Sequence, residues 1–180
     1  MQINTERLTL RPISIADLET THAYAGDLEN TKYMMFLPNQ SIEETAAWLR
    51  ESEAMWRSPA PHHLEFAILL EGAHTGSVTL YPLADGRVEL GWILNKAYQG
   101  HGYALEAARA AIEYGKNALG ARRFFAQCDS ENAGSYRLME RLGMRRVSCL
   151  PGRKNRSMGD MERMELTYEV EYDQGTGIRD

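Results

Sequence analysis

The chain has 180 residues, of which 43% are hydrophobic and 25% charged, as in an ordinary globular protein with one sizeable core. Acidic residues number 25 and basic residues 20, so bulk charge does not indicate a nucleic-acid-binding surface, and a local basic patch is left open. Two cysteines are too few for a disulfide framework or a metal centre, and they fit a reducing cytoplasm. The sequence contains neither a leader nor an apolar stretch of about 18 residues, so we expect no membrane span and no secretion.

Apolar periodicity, capping residues and turn residues predict a mixed chain of strands and helices. The predicted elements are, in chain order, a strand at 5–12, helices at 15–28 and 41–56, strands at 64–70, 76–81 and 87–94, a helix from 104 to about 117, a strand at 123–128, a helix at 132–142, and strands at 144–150 and 161–172. Residues 151–160 are predicted as a basic loop and 173–180 as a frayed tail. We therefore predict a single domain over 1–172.

An apolar cluster lies between the first two predicted helices. It comprises Tyr33, Met34, Met35, Phe36 and Leu37 and is bounded by Pro38. Two interpretations stand: these side chains pack in the core, or they form one wall of an acceptor-substrate pocket, since pockets are mostly apolar.

The most informative stretch runs from Arg87 to Tyr114. It reads as a half-buried strand, a glycine turn and the start of an Ala-rich helix. Gly100 and Gly102 lack a Cβ, so the backbone can turn sharply and a ligand can approach its N–H groups. A helix N-terminus after such a turn binds phosphate readily. By itself, a short glycine motif favours the interpretation as a plain structural turn.

The motif Gln99-Gly-His-Gly102-Tyr-Ala104 differs from the dinucleotide-binding spacing and lacks the Lys-Ser/Thr pair of a P-loop. It resembles the acetyl-coenzyme A signature Q/R-x-x-G-x-G/A of the GNAT superfamily of N-acetyltransferases. The longer run 98–107 is most similar to the RimJ/RimL-type branch, which usually has Trp at the position of Gln99. A second GNAT-like motif begins at Asn132 and includes Ser135 and Gly143.

The resemblance implies the GNAT fold, an α/β (α+β) architecture. Its twisted, mixed and mostly antiparallel sheet is splayed centrally between its fourth and fifth strands, and helices cover both faces. The resemblance also implies that acetyl-CoA enters the splay. The implied cofactor-binding residues are Trp92, Ile93, Leu94, Gln99, Gly100, His101, Gly102, Tyr103, Ala104, Leu105 and Asn132. Asn132 also reads as a helix N-cap, and His101 as a solvent-facing turn residue.

Acetyl transfer to an amine requires a base for the amine and a proton for the departing thiolate. Glu89 is the first base candidate, although an exposed strand glutamate would give the same pattern; Glu162 is the second. Ser135 matches the serine that lies near the coenzyme A sulfur in RimJ/RimL-type proteins, and Tyr136 is its competitor as the acid. Cys128 has no evident base partner, which argues against an acyl-cysteine intermediate.

The predicted function is direct, metal-free acetyl transfer to a primary amine, with a protein N-terminus or a small amine as acceptor. A homodimer is left open, and neither a membrane nor a nucleic acid is expected as a partner. A non-catalytic acyl-CoA sensor is the rival from another class. A dinucleotide oxidoreductase is disfavoured by the glycine spacing.

Overall fold

A computed structural model describes residues 1–172, which form one eight-stranded sheet with helices on both faces. The elements in chain order are β1 (Ile3–Asn4), β2 (Leu8–Pro12), α1 (Leu18–Ala25), α2 (Leu28–Thr31), α3 (Ile42–Met55), β3 (Leu64–Leu70), β4 (Ala73–Pro82), β5 (Arg87–Leu94), α4 (Tyr103–Ala118), β6 (Arg123–Asp129), α5 (Ala133–Arg141), β7 (Arg145–Lys154) and β8 (Glu162–Glu171). Short 3-10 turns precede α1 and α4 and join β7 to β8. The predicted tail at 173–180 lies outside the described residues.

The strand order is β1-β2-β3-β4-β5-β6-β8-β7, and the β5–β6 pair is parallel whereas the other neighbours are antiparallel. Parallel pairing covers only Arg87–Glu89 of β5 against Arg123–Phe125 of β6. Beyond Glu89 the two strands diverge, because β5 continues to Leu94 without β6 as a neighbour. The predicted fold class and the predicted splay are confirmed; the short β1 shifts the splay to between the fifth and sixth strands.

The core is divided by the sheet. One face carries α4, whose buried side chains join Phe66, Leu80 and Leu90 in the main cluster. Gly115 allows this close packing, because a Cβ there would lie 2.8 Å from the Phe124 ring. The other face carries α1 and α3, where Leu49 of α3 packs with Ile13 and Ala67. Alternation along a strand sends successive side chains to these two faces.

The N-terminal predictions need two corrections. The strand predicted at 5–12 begins only at Leu8, because residues 5–7 form a turn in which the Thr5 hydroxyl accepts a hydrogen bond from the Leu8 N–H at 2.9 Å; the short β1 precedes the predicted range. The helix predicted at 15–28 is interrupted at Gly26 and Asp27, and Asp27 caps the separate helix α2. The capping box predicted at Ser41 is present in part: Ser41 Oγ accepts from the Glu44 N–H at 3.3 Å, whereas Glu44 reaches the Gln40 N–H.

Two strand boundaries were also wrong. Strand β4 begins at Ala73 because the turn is tighter than predicted, with Glu71 and Gly72 both at positive φ. Strand β7 continues to Lys154, so the first four residues of the predicted basic loop at 151–160 lie in a strand that pairs with β8, and the other six form the connection between the two strands. The hairpin turn predicted at Asp85 and Gly86 is confirmed. Within residues 1–172, we find no helix with the length and apolar character to cross a membrane.

Candidate active site

A cleft of about 600 Å³ opens where β5 and β6 diverge. It is bounded by α2 and the segment after it, the end of β5, the glycine loop and the first turns of α4 and α5. Its lining residues include Asn30, Lys32, Tyr33, Met34, Trp92, Ile93, Leu94, Gln99, Gly100, Gly102, Tyr103, Ala104, Leu105, Asn132, Ser135, Arg137 and Arg141. The splay therefore creates a cavity that contains most of the predicted cofactor-binding residues.

The glycine loop turns sharply into α4. Gly100 and Gly102 both have φ of +83°, a left-handed conformation that favours glycine. The first intrahelical bond of α4 runs from the Glu106 N–H to the Gly102 carbonyl at 3.1 Å. The N–H groups before Glu106 therefore have no acceptor within the helix and can serve an anion, as the sequence predicted.

Arg7, in the turn between β1 and β2, stabilises the glycine loop by hydrogen bonds and an ion pair. Its Nη1 donates to the His101 carbonyl oxygen at 3.0 Å, and its Nη2 lies 2.7 Å from Glu106 Oε2. Glu106 also accepts from the Arg7 backbone N–H and from the Thr5 hydroxyl, at 2.8 and 2.6 Å. The Arg7 guanidinium lies 4.7 Å from the centre of the Tyr103 ring. The N-terminal turn thus fixes the shape of the loop by contacts on both sides of Gly102.

Two further amides organise the walls of the cleft. Gln99 Nε2 donates to the Leu94 carbonyl at 3.1 Å and to Asn30 Oδ1 at 3.2 Å, which joins the loop to β5 and α2. Asn132 Oδ1 accepts from the Ser135 N–H at 3.2 Å and caps α5. Asn132 also lines the cleft, so the two roles proposed for it from the sequence are compatible.

The end of β5 offers a backbone edge to the cleft. Trp92, Ile93 and Leu94 pair with β4 on one side, and on the other side β6 has already diverged. Backbone groups on an unpaired strand edge can accept an added strand or an extended ligand with amide groups.

Cationic side chains lie along the same cleft. Arg137 and Arg141 are exposed on α5, and among residues 1–172 no carboxylate lies within ion-pair distance of either guanidinium. Lys32 lines the opposite wall. Lys96 pairs with Asp27 at 2.5 Å. Beside the glycine loop, Arg7, Arg109 and Arg141 border a second depression together with His101. Among its lining residues the cleft has four cationic side chains against one carboxylate, Glu29, a balance that favours an anionic ligand.

Glu89 lies next to the point where the strands diverge, opposite Tyr81 on β4 and Phe125 on β6. Burial raises the pKa of its carboxyl group above the ordinary value for glutamate, and the nearby Glu165 carboxylate raises it further, while Arg153 opposes the rise. Glu89 faces the α1 and α3 side of the sheet, and it is not among the residues that line the 600 Å³ cleft. A glutamate with a raised pKa is suited to proton transfer.

Arg153 connects Glu89's surroundings to the cleft. Its Nη1 donates to Glu165 Oε2 and its Nη2 to the Tyr33 carbonyl, both at 2.9 Å, and its side chain is only 7% exposed. Tyr33 and the neighbouring Met34 line the cleft, whereas Phe36 is 79% exposed. The cluster at 33–37 is thus a wall of the cavity in part, rather than core throughout.

The other candidate residues are separated by the fold. Ser135 lines the cleft, whereas Tyr136 does not and packs against the main core. Glu162 is exposed at the start of β8, and Glu165 is the β8 carboxylate whose charge reaches Glu89. Burial raises the pKa of the Cys128 thiol to about 11, which disfavours the thiolate that an acyl-cysteine would need. His101 lies outside the cleft, at the second depression.

Several residues of the site gave little signal in the sequence. Arg7, Arg153 and Glu165 come from turns and strands that are remote from the two motifs, and their types are common at surfaces. None of the three lines the cleft, and only the tertiary fold brings them next to residues of the site, Arg7 to the His101 carbonyl, Arg153 to the Tyr33 carbonyl and Glu165 to Arg153.

The chain matches the family described as an acetyltransferase (GNAT) domain over residues 7–145. It is 31% identical over 158 residues to the uncharacterized N-acetyltransferase YnaD of Bacillus subtilis, covering 84% of this chain and 89% of that protein. An acetyltransferase (GNAT family) structure from Bacillus anthracis is similar with a TM-score of 0.79 and 29% identity, covering 95% and 98% of the two chains.

A further structural similarity is to RimL, the ribosomal L7/L12 alpha-N-protein acetyltransferase, solved in complex with coenzyme A. The TM-score is 0.82 with 16% identity, and 95% of this chain and 98% of that chain are covered. At that identity the similarity concerns the fold. The family match over most of the chain, together with the splayed sheet and its glycine loop, identifies this protein as a member of the GNAT family of acetyltransferases.

Proposed function

We propose that this protein is an acetyl-CoA-dependent N-acetyltransferase that acts by direct transfer to a primary amine, with a protein N-terminal α-amine as the first candidate acceptor. The observation that carries the proposal is the cleft between the free edge of β5 and the glycine loop. It joins hydrogen-bonding groups suited to an amide chain with donors suited to a diphosphate.

The residues present fit coenzyme A along the whole cleft. The N–H groups of Gly100, Gly102, Ala104 and Leu105 would hold the pyrophosphate, supported by the helix macrodipole. The β5 edge from Trp92 to Leu94 would hold the pantetheine arm as an added strand. When bound, acetyl-CoA supplies an activated acetyl group as a thioester.

On the acceptor side, Glu89 would remove the amine proton, directly or through water. An α-amine has a pKa of about 7.7–8.0 and a lysine amine about 10.4, so the lysine amine requires more help at neutral pH. Burial and Glu165 make Glu89 a stronger base than an ordinary glutamate, because they disfavour its charged form.

We assign Ser135 to the thiol end of the reaction. It lies in the first turn of α5, lines the cleft, and is oriented by the Asn132 cap. A serine hydroxyl is a weak acid, so we assign it orientation of the sulfur as well as proton donation. Tyr136 is the less favoured acid, because its side chain packs against the core.

A protein N-terminus is favoured by the RimJ/RimL-type motif and by the exposed apolar side chains next to the cleft, Met35 and Phe36. Such a surface can contact the side chains that follow an N-terminal residue. A small-molecule amine is the second candidate acceptor, since the same branch includes enzymes for small amines.

The test is an acceptor screen that follows thiol release from acetyl-CoA with N-terminal peptides, free amino acids and polyamines. Turnover on a peptide α-amine, but not on a matched peptide with a blocked N-terminus and a free lysine, would support the first candidate. Calorimetry with coenzyme A is run in parallel. Tight binding without turnover on any amine would favour a sensor, and the absence of binding by folded protein would reject the proposal as a whole.

A further inference from the structure

Three potential metal ligands meet where the segment after α3 enters β3. Glu51 of α3, His62 and His63 each offer a donor atom, and these atoms lie within 4.8 Å of one another. His62 Nε2 is 3.1 Å from Glu51 Oε1. Glu51 and His62 are exposed, whereas His63 is 1% exposed. None of the three lines the coenzyme A cleft, so the function proposed above does not use them.

A chain of hydrogen bonds holds the side chain of His63, the buried residue of the three. The Ser52 hydroxyl donates to Glu65 Oε2 at 3.2 Å, and Ser52 Oγ is 3.0 Å from His63 Nε2. We assign His63 Nε2 as the donor in the second bond, because the single Ser52 hydroxyl proton is used in the bond to the Glu65 carboxylate. This tautomer leaves the unshared pair on Nδ1.

The ring of His63 is also held in orientation. It stacks on Trp48 with centroids 4.6 Å apart, and the Trp48 Nε1–H donates to the same Glu65 oxygen at 2.6 Å. Histidines that bind metals typically donate their other ring N–H to an outer hydrogen-bond partner, which fixes tautomer and ring orientation. The arrangement around His63 has this form, with Ser52 and Glu65 as the outer partners.

We propose that Glu51, His62 and His63 bind a divalent transition-metal ion, with Zn²⁺ as the best match. Two imidazoles and one carboxylate form a common zinc ligand set, with water in the fourth position. Mg²⁺ and Ca²⁺ are poorly matched because they prefer oxygen ligands.

The ion would link the second half of α3 to the two residues that precede β3. It would close the connecting segment that contains Pro59 and Pro61. Register places this end of β3 far along the sheet from the glycine loop: Leu64 pairs with Leu80, whereas Leu94 pairs with Gly76 at the opposite end of β4. Because none of the three ligands lines the coenzyme A cleft, we assign the ion a structural role.

The test uses tag-free, full-length protein, treated with a chelator and then titrated with Zn²⁺ by calorimetry. We expect saturable binding with one ion per chain. The melting temperature should rise with Zn²⁺ concentration, because the ion binds the folded arrangement, and a chelator should reverse the rise. Mg²⁺ should produce neither effect. No saturable Zn²⁺ binding, or an equal response to Mg²⁺, would overturn the proposal.

Two exposed ligands allow a test that does not disturb the core. His62→Ala and Glu51→Gln should each weaken Zn²⁺ binding by at least about tenfold, since loss of even an outer partner typically costs about 10- to 100-fold. Glu53→Gln is the matched control. Glu53 lies on the same helix as Glu51, but it pairs with Arg57 and lies outside the cluster. Wild-type affinity in His62→Ala would contradict the assignment, whether or not His63 variants fold.

Discussion

The Arg7 guanidinium donates a hydrogen bond to the His101 carbonyl over 3.0 Å, so a residue of the N-terminal turn restrains the loop proposed to bind pyrophosphate. This carbonyl belongs to the peptide bond between His101 and Gly102. The hydrogen bond from Arg7 therefore helps to set the direction of the backbone N–H groups on either side of that carbonyl. The ion pair between Arg7 and Glu106 anchors the same side chain to α4. Loop shape is thus a tertiary property and not a consequence of the glycines alone.

Replacing Arg7 should therefore weaken cofactor binding more than catalysis. For Arg7→Met we expect the Kd for coenzyme A to rise about tenfold, equivalent to about 1.4 kcal/mol. This is near the lower end for charge-assisted bonds, because the side chain is 42% exposed. Calorimetry measures the Kd, and kcat at saturating acetyl-CoA should change little. Arg57→Met, which removes a surface ion pair on α3, is the control and should bind normally.

A comparison of Gly100→Ala with Gly86→Ala separates the effect of backbone strain on stability from the effect of a lost ligand contact on binding. Gly86 in the β4–β5 turn has φ of +81°, close to that of Gly100, and a Cβ at either position meets no protein atom within 4 Å. Each Ala substitution should lower the free energy of unfolding by about 1–2 kcal/mol, the cost of the left-handed region. Only Gly100→Ala should also weaken coenzyme A binding, by at least about tenfold. Denaturant unfolding and calorimetry measure the two quantities, and equal binding by both variants would contradict the assigned phosphate site.

Glu89→Gln should impair amine deprotonation. We expect kcat/KM at neutral pH to fall by about 10²- to 10⁴-fold, the usual contribution of a general base. The deficit should shrink at high pH, where the amine is already neutral, and binding of coenzyme A should be unchanged. A pH profile of kcat/KM measures this. Glu162→Gln distinguishes the two base candidates: a larger deficit there than in Glu89→Gln would transfer the role to Glu162.

Glu165→Gln should shift the acid limb of the same pH profile. The Glu165 carboxylate disfavours ionisation of Glu89, and it also holds Arg153. Removing the carboxylate lowers the pKa of Glu89, so the deprotonated base persists to lower pH and the acid limb moves in the acid direction. Glu169→Gln is the control on the same strand, because Glu169 pairs with Arg123. A shift toward higher pH in Glu165→Gln would contradict the assigned coupling.

Ser135→Ala tests the proposed contact with the thiol. Loss of one hydrogen bond of about 1–1.5 kcal/mol corresponds to a fall in kcat of about tenfold. Tyr136→Phe removes the competing hydroxyl, and we expect kcat within about twofold of wild type because that side chain packs against the core. Steady-state kinetics with saturating acetyl-CoA measure both. The opposite ranking would assign the acid to Tyr136.

Local sequence patterns predicted many of the helices and strands, because each of these patterns lies within one segment of the chain. Strand alternation at 87–94 and the capping box at Ser41 are short-range signals, and the structure places both elements within two residues of the prediction. The predicted boundaries were wrong where contacts between residues distant in the sequence determine where an element begins or ends. Strand β7 continues through Pro151 because β8 pairs with it, and the Thr5 turn is held by Glu106 of α4.

The sequence by itself determined the family, the glycine loop and those cleft residues that belong to the two motifs and to β5, because these depend on backbone freedom and on residues that are close in the chain. Only the tertiary structure decided which carboxylate on β8 influences Glu89, that Ser135 and not Tyr136 reaches the cleft, and that Arg7 braces the loop. Those relationships require strands distant in sequence to meet at the splay. Their side-chain directions follow from sheet register and helix packing, which local patterns do not specify.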